Sequence, residues 1–302
     1  MATICIVGAG DLGGSTAHAL ARGERVRRVL LIDANGTIAA GKALDIQQAG
    51  AVEGFHTRVD GTSDLTRVAG GAVVVVADSA LAPTLRGPQG RPEQGRGASG
   101  VEGSQEWGGE SGLAMIARLK GFIGTAPIVF AGASHSDLIL SVEREARVER
   151  RRLVGSAPEA LAGAVRAIVA LEARCSPSEV TLAVLGTPPS GFLVPWGEAS
   201  IGGYSLERVL TQVQLRRIET RLARLWPPGP QALGLAAAKI AEALVTSARR
   251  TMSVVTVLGG EFGIRDRAGV LPCLLTPSGI AHVRLPDLHS RERVQLETVL
   301  QG

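Results

Sequence analysis

Short apolar runs alternate with longer amphipathic stretches along the first half of the chain. Residues 3–7, 28–33 and 72–77 are apolar runs of strand length, while residues 12–22 and 37–48 repeat their apolar positions at helical spacing. Strands buried on both faces and separated by helices predict a parallel sheet with crossover helices. Residues 128–132 supply a further buried strand, followed by a helical pattern over 137–150. In the second half, helical patterns cover 159–174, 206–226 and 232–249, with strand-like runs at 180–185, 253–258 and 271–275. The pattern predicts an α/β chain with a parallel-sheet domain over residues 1–140 and an α+β domain over 141–302.

Residues 81–112 break the alternation. Arg86-Gly-Pro-Gln-Gly-Arg91-Pro and Gly95-Arg96-Gly-Ala-Ser-Gly100 are too rich in Gly and Pro for regular structure, which predicts a long loop.

Composition narrows the function classes. A length of 302 residues exceeds what a single core usually spans, and 45% hydrophobic with 20% charged residues is the balance of a folded protein. The apolar runs are far shorter than a membrane span, and the N-terminal residues lack a basic region and a cleavage site, so a soluble cytoplasmic protein is expected. Cys5, Cys175 and Cys273 stand apart from one another and from His pairs, so they are expected to be small buried hydrophobes, with no metal site and no disulfide framework. The net charge of +4 is spread over scattered arginines, and 3% aromatics leaves no stacking platform, so no nucleic-acid partner is expected.

The first chemical signal is Gly8-Ala-Gly10-Asp11-Leu12-Gly13, which follows the first strand and opens the first helix. Asp33 closes the next strand. Gly8 permits the tight turn, Gly10 lets the backbone approach a pyrophosphate, and Gly13 lets helix and strand pack closely. The helix N-terminus favours the anion, and Asp33 would accept from ribose hydroxyls. This predicts an N-terminal Rossmann-type domain that binds NAD. NADP is disfavoured because its 2′-phosphate would meet the Asp33 carboxylate. Ala77, at the end of the fourth apolar run, belongs to the same set. Asp11 within the turn and Asp78 beside the expected pyrophosphate work against binding. The ordinary expectation for both is a side chain turned into solvent.

Four stretches then make the chain similar to the lactate/malate dehydrogenase family along nearly its whole length. They are Ile6 to Gly13, Ala43-Leu-Asp-Ile-Gln-Gln-Ala49, Val184-Leu-Gly186 through Trp196 to Ile201-Gly-Gly203, and Gly260-Glu-Phe-Gly-Ile264 leading to Gly269-Val-Leu-Pro272. The resemblance implies NADH-dependent reduction of a small 2-oxo acid and assembly as a homodimer or homotetramer, with the 37–48 helix as an interface element. It also implies a His proton donor, an Asp that orients it, an Arg clamp for the substrate carboxylate, an Asn beside the nicotinamide, and a second Arg on a closing loop. Here Pro188 stands at the His position, Leu161 and Ala164 at the Asp and Arg positions, and Ser134 at the Asn position. Glu159 and Arg166 are each two residues out of register, on nearly the opposite helix face. Arg86, Arg91 and Arg96 compete for the loop role, against the plainer reading that all three are solvated charges.

Three functions therefore stand. The chain is a degenerate family member that keeps the fold and NAD, an oxidoreductase on an altered and less anionic substrate that uses His135 or a loop Arg, or a scaffold whose nucleotide site has decayed through Asp11 and Asp78.

Overall fold

A computed structural model of the chain describes residues 2–80, 104–246 and 248–301. The first half runs β1 (Thr3–Val7), α1 (Asp11–Gly23), β2 (Arg28–Ile32), α2 (Gly36–Glu53), β3 (Arg58–Thr62), β4 (Val73–Val76), β5 (Asp78–Ala80), β6 (Ser104–Glu106), α3 (Gly109–Lys120), β7 (Ile128–Phe130), α4 (Ser136–Arg144) and β8 (Leu153–Gly155). Strands β1, β2, β4 and β7 carry buried Ile, Val, Leu and Phe on both faces, as a sheet covered by helices on both sides demands. They pair in parallel in the order β3-β2-β1-β4-β7-β8, the doubly wound order in which strands are added to one side of β1 and then, from β4 on, to the other.

The second half continues the sheet. It consists of α5 (Ala157–Ala173), β9 (Val180–Thr181), β10 (Leu185–Thr187), β11 (Gly191–Leu193), β12 (Ser200–Ile201), β13 (Tyr204–Ser205), α6 (Leu206–Val209), α7 (Gln212–Leu222), α8 (Pro230–Thr246), β14 (Thr251–Gly259), β15 (Arg265–Thr276), β16 (Gly279–Val283) and α9 (Ser290–Gln301). β14 joins β8 antiparallel through Val255 and Gly155, and β15, β10 and β11 follow outward. The parallel part thus runs past residue 140 to include β8, so the change from parallel to antiparallel pairing falls between β8 and β14.

Several expectations are corrected. β3 carries Arg58, Asp60 and Thr62 at the sheet edge and buries Val59, so it gives no apolar run to read. The predicted loop 81–112 ends early, because β6 pairs with β5 and α3 begins at Gly109, burying Met115, Ile116 and Leu119. Residues 81–103, with Arg86, Arg91 and Arg96, lie outside the described residues. The 206–226 helix is two helices, since Thr211 starts α7 with a reciprocal cap in which its hydroxyl accepts from Gln214 N–H and the Gln214 carboxamide accepts from Thr211 N–H.

Three packed clusters fill the interior: one on each face of the sheet and one beneath α5 and α7. Burial pushes the Cys5 thiol up to about 11 and the Cys273 thiol to about 12, as small core residues. No helix among the described residues is long and apolar enough to cross a membrane, and no described group of His, Cys, Asp and Glu gathers at metal-binding spacing.

The two halves of the chain meet where α8 lies on α1, the helix that follows the glycine turn. A Cβ on Gly234 would come within 2.6 Å of Ser15 Oγ and 2.9 Å of the Thr16 nitrogen. We expect Gly234→Ala to force these helices apart and to cost about 1–3 kcal/mol in urea denaturation. An unchanged midpoint would show that the contact tolerates a methyl group.

Candidate functional site

The carboxyl ends of β1, β2 and β4 converge on the α1 N-terminus. Gly8 adopts φ +110° and donates its N–H to Ile32 O at 2.8 Å, while Ala77 N–H donates to Val7 O at 3.0 Å. Gly13 cannot carry a side chain, since a Cβ there would lie 2.0 Å from Gly8 O. Gly8, Gly10, Leu12, Gly13, Asp33 and Ala77 are therefore gathered around the α1 N-terminus, at the switch point between β1 and β4 where such sheets bind ligands.

The two acids expected to face solvent behave differently. Asp11 does so, with its side chain 52% exposed and 3.6 Å from Lys42 Nζ. Asp78 does not: it is 3% exposed, and its carboxylate accepts Leu12 N–H at 3.0 Å and Gly13 N–H at 2.8 Å. Its backbone carbonyl accepts Gly10 N–H at 3.0 Å. The first turn of a helix leaves amides without partners and carries partial positive charge, so a carboxylate from the neighbouring strand satisfies both demands. Asp33, 4% exposed, is also engaged: it accepts Ala9 N–H at 2.8 Å, Ala80 N–H at 2.9 Å and Asn35 N–H at 2.9 Å.

Beyond β7, Ser134 is exposed and donates its hydroxyl to Glu106 at 2.5 Å. The same carboxylate accepts Ala133 N–H and Ser134 N–H, each at 3.2 Å. Glu106 was not anticipated, because it lies in a stretch whose composition reads as loop. Lys42 donates to Gly10 O at 2.6 Å, a contact that no motif in the sequence signals.

A cleft of about 590 Å³ opens next to Ser134, lined among others by Asp137, Pro188, Ser190 and Arg267. Pro188 begins the turn that joins β10 to β11. Leu161 is fully buried in the cluster beneath α5, and Ala164 offers only a methyl group. Glu159 and Arg166 pair with each other at 2.6 Å, and Glu159 also accepts Ser253 N–H at 3.3 Å. Both line a different cleft, of about 340 Å³, with Glu198 and Arg284. Neither lines the cleft beside Ser134.

His135 is 1% exposed and lies edge-on to Phe130, with ring centroids 6.0 Å apart. Its Nδ1 accepts Gly132 N–H at 3.0 Å. Burial pushes its imidazole from 6.5 down to about 4, against the opposing pull of Glu106 and the Trp107 backbone.

No family model matches the chain. Among curated proteins, the malate dehydrogenase of Thioalkalivibrio sulfidiphilus is 28% identical, with the alignment covering 100% of this chain and 97% of that protein. The malate dehydrogenase of Pseudomonas putida is 25% identical over 98% of this chain and 95% of its own length. Among solved structures, the malate dehydrogenase of Aeropyrum pernix superposes with a TM-score of 0.80 at 19% identity, over 99% of this chain and 95% of that one. The lactate dehydrogenase of Cryptosporidium parvum, complexed with lactic acid and β-nicotinamide adenine dinucleotide, gives 0.81 at 20% identity over the same shares. Over nearly its whole length the chain is similar to malate and lactate dehydrogenases. The doubly wound sheet and its antiparallel extension are the fold these solved structures share.

The neutral His135 has a consequence for stability. Between pH 6.5 and 4 the unfolded chain binds a proton at this ring that the native chain does not. The ring's contribution is complete above 6.5 and is lost as pH falls through about 4, by about 3 kcal/mol in all. We expect His135→Gln to flatten this part of the stability profile in urea denaturation across pH 4 to 7. Parallel profiles for the two proteins would rule the assignment out.

Proposed function

We propose that this family member has lost, or retains only weakly, the 2-hydroxy acid dehydrogenase reaction, while its first domain remains built for NAD. The observation that carries the reading is the triple replacement at Pro188, Leu161 and Ala164. Proline has no proton to give at the position of the acid/base, and two apolar side chains stand where a carboxylate and a guanidinium would be needed. An absent acid/base costs about 10²- to 10⁴-fold, and two missing charge-assisted bonds to the substrate, at about 1.5–3 kcal/mol each, cost about two to four further decades.

His135 lends no support to a rebuilt site, because its ring is buried, its Nδ1 is engaged, and it does not line the cleft. The rim offers Ser134, Ser190, Asp137 and one exposed guanidinium, Arg267, which suits a small polar molecule better than a dicarboxylate.

For NAD, the turn Gly8 to Gly13 with Ala77 and Asp33 has the required shape, and the bound nucleotide would supply the hydride. Gly10, Leu12 and Gly13 would hold the pyrophosphate, Asp33 a ribose, and Ser134 the nicotinamide side. These residues fit NAD on condition that Asp78 leaves the amides it covers. With NADH and oxaloacetate or pyruvate, followed by nicotinamide absorbance, we expect kcat/KM at least about three decades below the 10⁴ to 10⁸ M⁻¹s⁻¹ of ordinary enzymes. A value within that range would overturn the reading.

The chain is further proposed to work in the cytoplasm, in keeping with its three free thiols, and to form a homodimer or homotetramer through α2. Helix α2 exposes Leu44 (56%) and Val52 (88%), apolar side chains that favour a covered face. Light scattering after size exclusion should give a mass of two or four chains for the wild type and a smaller mass for Leu44→Glu/Val52→Glu. A monomeric wild type would exclude the assembly.

A further inference from the structure

β5 and β6 form a two-stranded antiparallel ribbon in which Asp78 and Glu106 are direct cross-strand partners. From this one ribbon two carboxylates reach into the crevice. Asp78 takes Leu12 N–H and Gly13 N–H with its carboxylate and Gly10 N–H with its backbone, and Glu106 takes Ala133 N–H, Ser134 N–H and the Ser134 hydroxyl. The donors at the helix end and the donors beyond β7 are thus both held by anions of the chain itself. The glycine turn also fits closely around the intruding strand, since a Cβ on Gly8 would lie 2.2 Å from Asp78 O.

A carboxylate presents two acceptor oxygens and one negative charge, as a phosphate of a dinucleotide presents acceptor oxygens and charge to the same kind of amides. Both cannot hold these amides at once. Because Asp78 is tethered one residue beyond Ala77, its effective concentration at the turn is far above that of any free ligand. We propose that Asp78 is an internal substitute for the cofactor's pyrophosphate, so that a dinucleotide binds this protein only by displacing it. The inference rests on the reading of the first domain as built for NAD. It makes Asp78 the residue that sets affinity: apparent binding is weakened by the fraction of molecules in which the seat is free.

Calorimetric titration of the full chain with NADH, with ADP and with adenosine separates the possibilities, using wild type, Asp78→Gly and the near-isosteric Asp78→Asn. We expect Asp78→Gly to bind NADH and ADP at least about tenfold more tightly than wild type. Asp78→Asn, which keeps the shape and loses the charge, should fall between them. Adenosine, which has no phosphate, should bind all three alike. Thermal unfolding should show both variants less stable than wild type while their NADH affinity rises, whereas a residue with only a structural role would lower both. Equal NADH affinity in all three proteins overturns the displacement and leaves the NAD reading standing. An equal gain for adenosine also overturns it. If no variant, Asp78→Asn included, binds NADH, both readings fall.

Discussion

The demand that organises the nucleotide half of this molecule is that of the α1 N-terminus for an acceptor. Buried amides left without partners cost about 1–3 kcal/mol each, so the amides of Gly10, Leu12 and Gly13 need an occupant whether or not a ligand is present. In this chain Asp78 provides it, and the consequences spread outward. β5 is held against the glycine turn, and its cross-strand partner Glu106 is brought over the Ala133-Ser134 amides. Asp33 is drawn into the same network through Ala80 N–H, the last residue of β5. Three carboxylates, Asp33, Asp78 and Glu106, thereby tie the ends of β2, β4 and β7 to backbone amides.

In the substrate half, the proposed reading puts packing where the resemblance expects charge. A buried carboxylate and guanidinium are costly to desolvate, and apolar replacement of such groups is commonly neutral or stabilising. Leu161 illustrates this: it is fully buried among Ala162, Val165 and Val184. On the proposed reading, apolar residues at both positions leave no buried unpaired charge there, and the fold does not depend on the chemistry. The ion pair between Glu159 and Arg166, each two residues out of register, satisfies itself and the Ser253 amide and stays outside the Ser134 cleft.

The same contrast decides what could be read from the sequence. β1, β2 and β4 announce themselves because central parallel strands must be apolar on both faces. The edge strand β3 buries little, and α3 sits next to a Gly/Pro-rich stretch that masks its start, so neither is legible. Gly8, Gly10, Gly13 and Asp33 could be found because they recur at a fixed spacing after a strand, and at Gly8 and Gly13 a side chain would collide with backbone. Asp78 was visible as a charge in an awkward place, but its direction was not, since composition cannot tell a solvated loop acid from one whose oxygens complete a helix terminus. Glu106 carried no signal at all, because its partners are backbone amides 27 and 28 residues further along the chain.

These two changes act on separate factors of one reaction. Dehydrogenation needs the nucleotide seated and a proton moved at the substrate, and the free energies of groups that share no partner add. On the proposed reading, Asp78 bears on the first through amides of α1, while Pro188, Leu161 and Ala164 bear on the second from the turn after β10 and from α5. Emptying the pyrophosphate seat supplies no proton donor, and a histidine at position 188 would act on a substrate whose hydride source is still competing with Asp78. Likeness of fold across 99% of the chain therefore says little about rate, because neither factor depends on the sheet itself. Each depends on which few side chains the ends of the sheet present, and in this protein those ends are closed by the chain's own carboxylates and apolar groups.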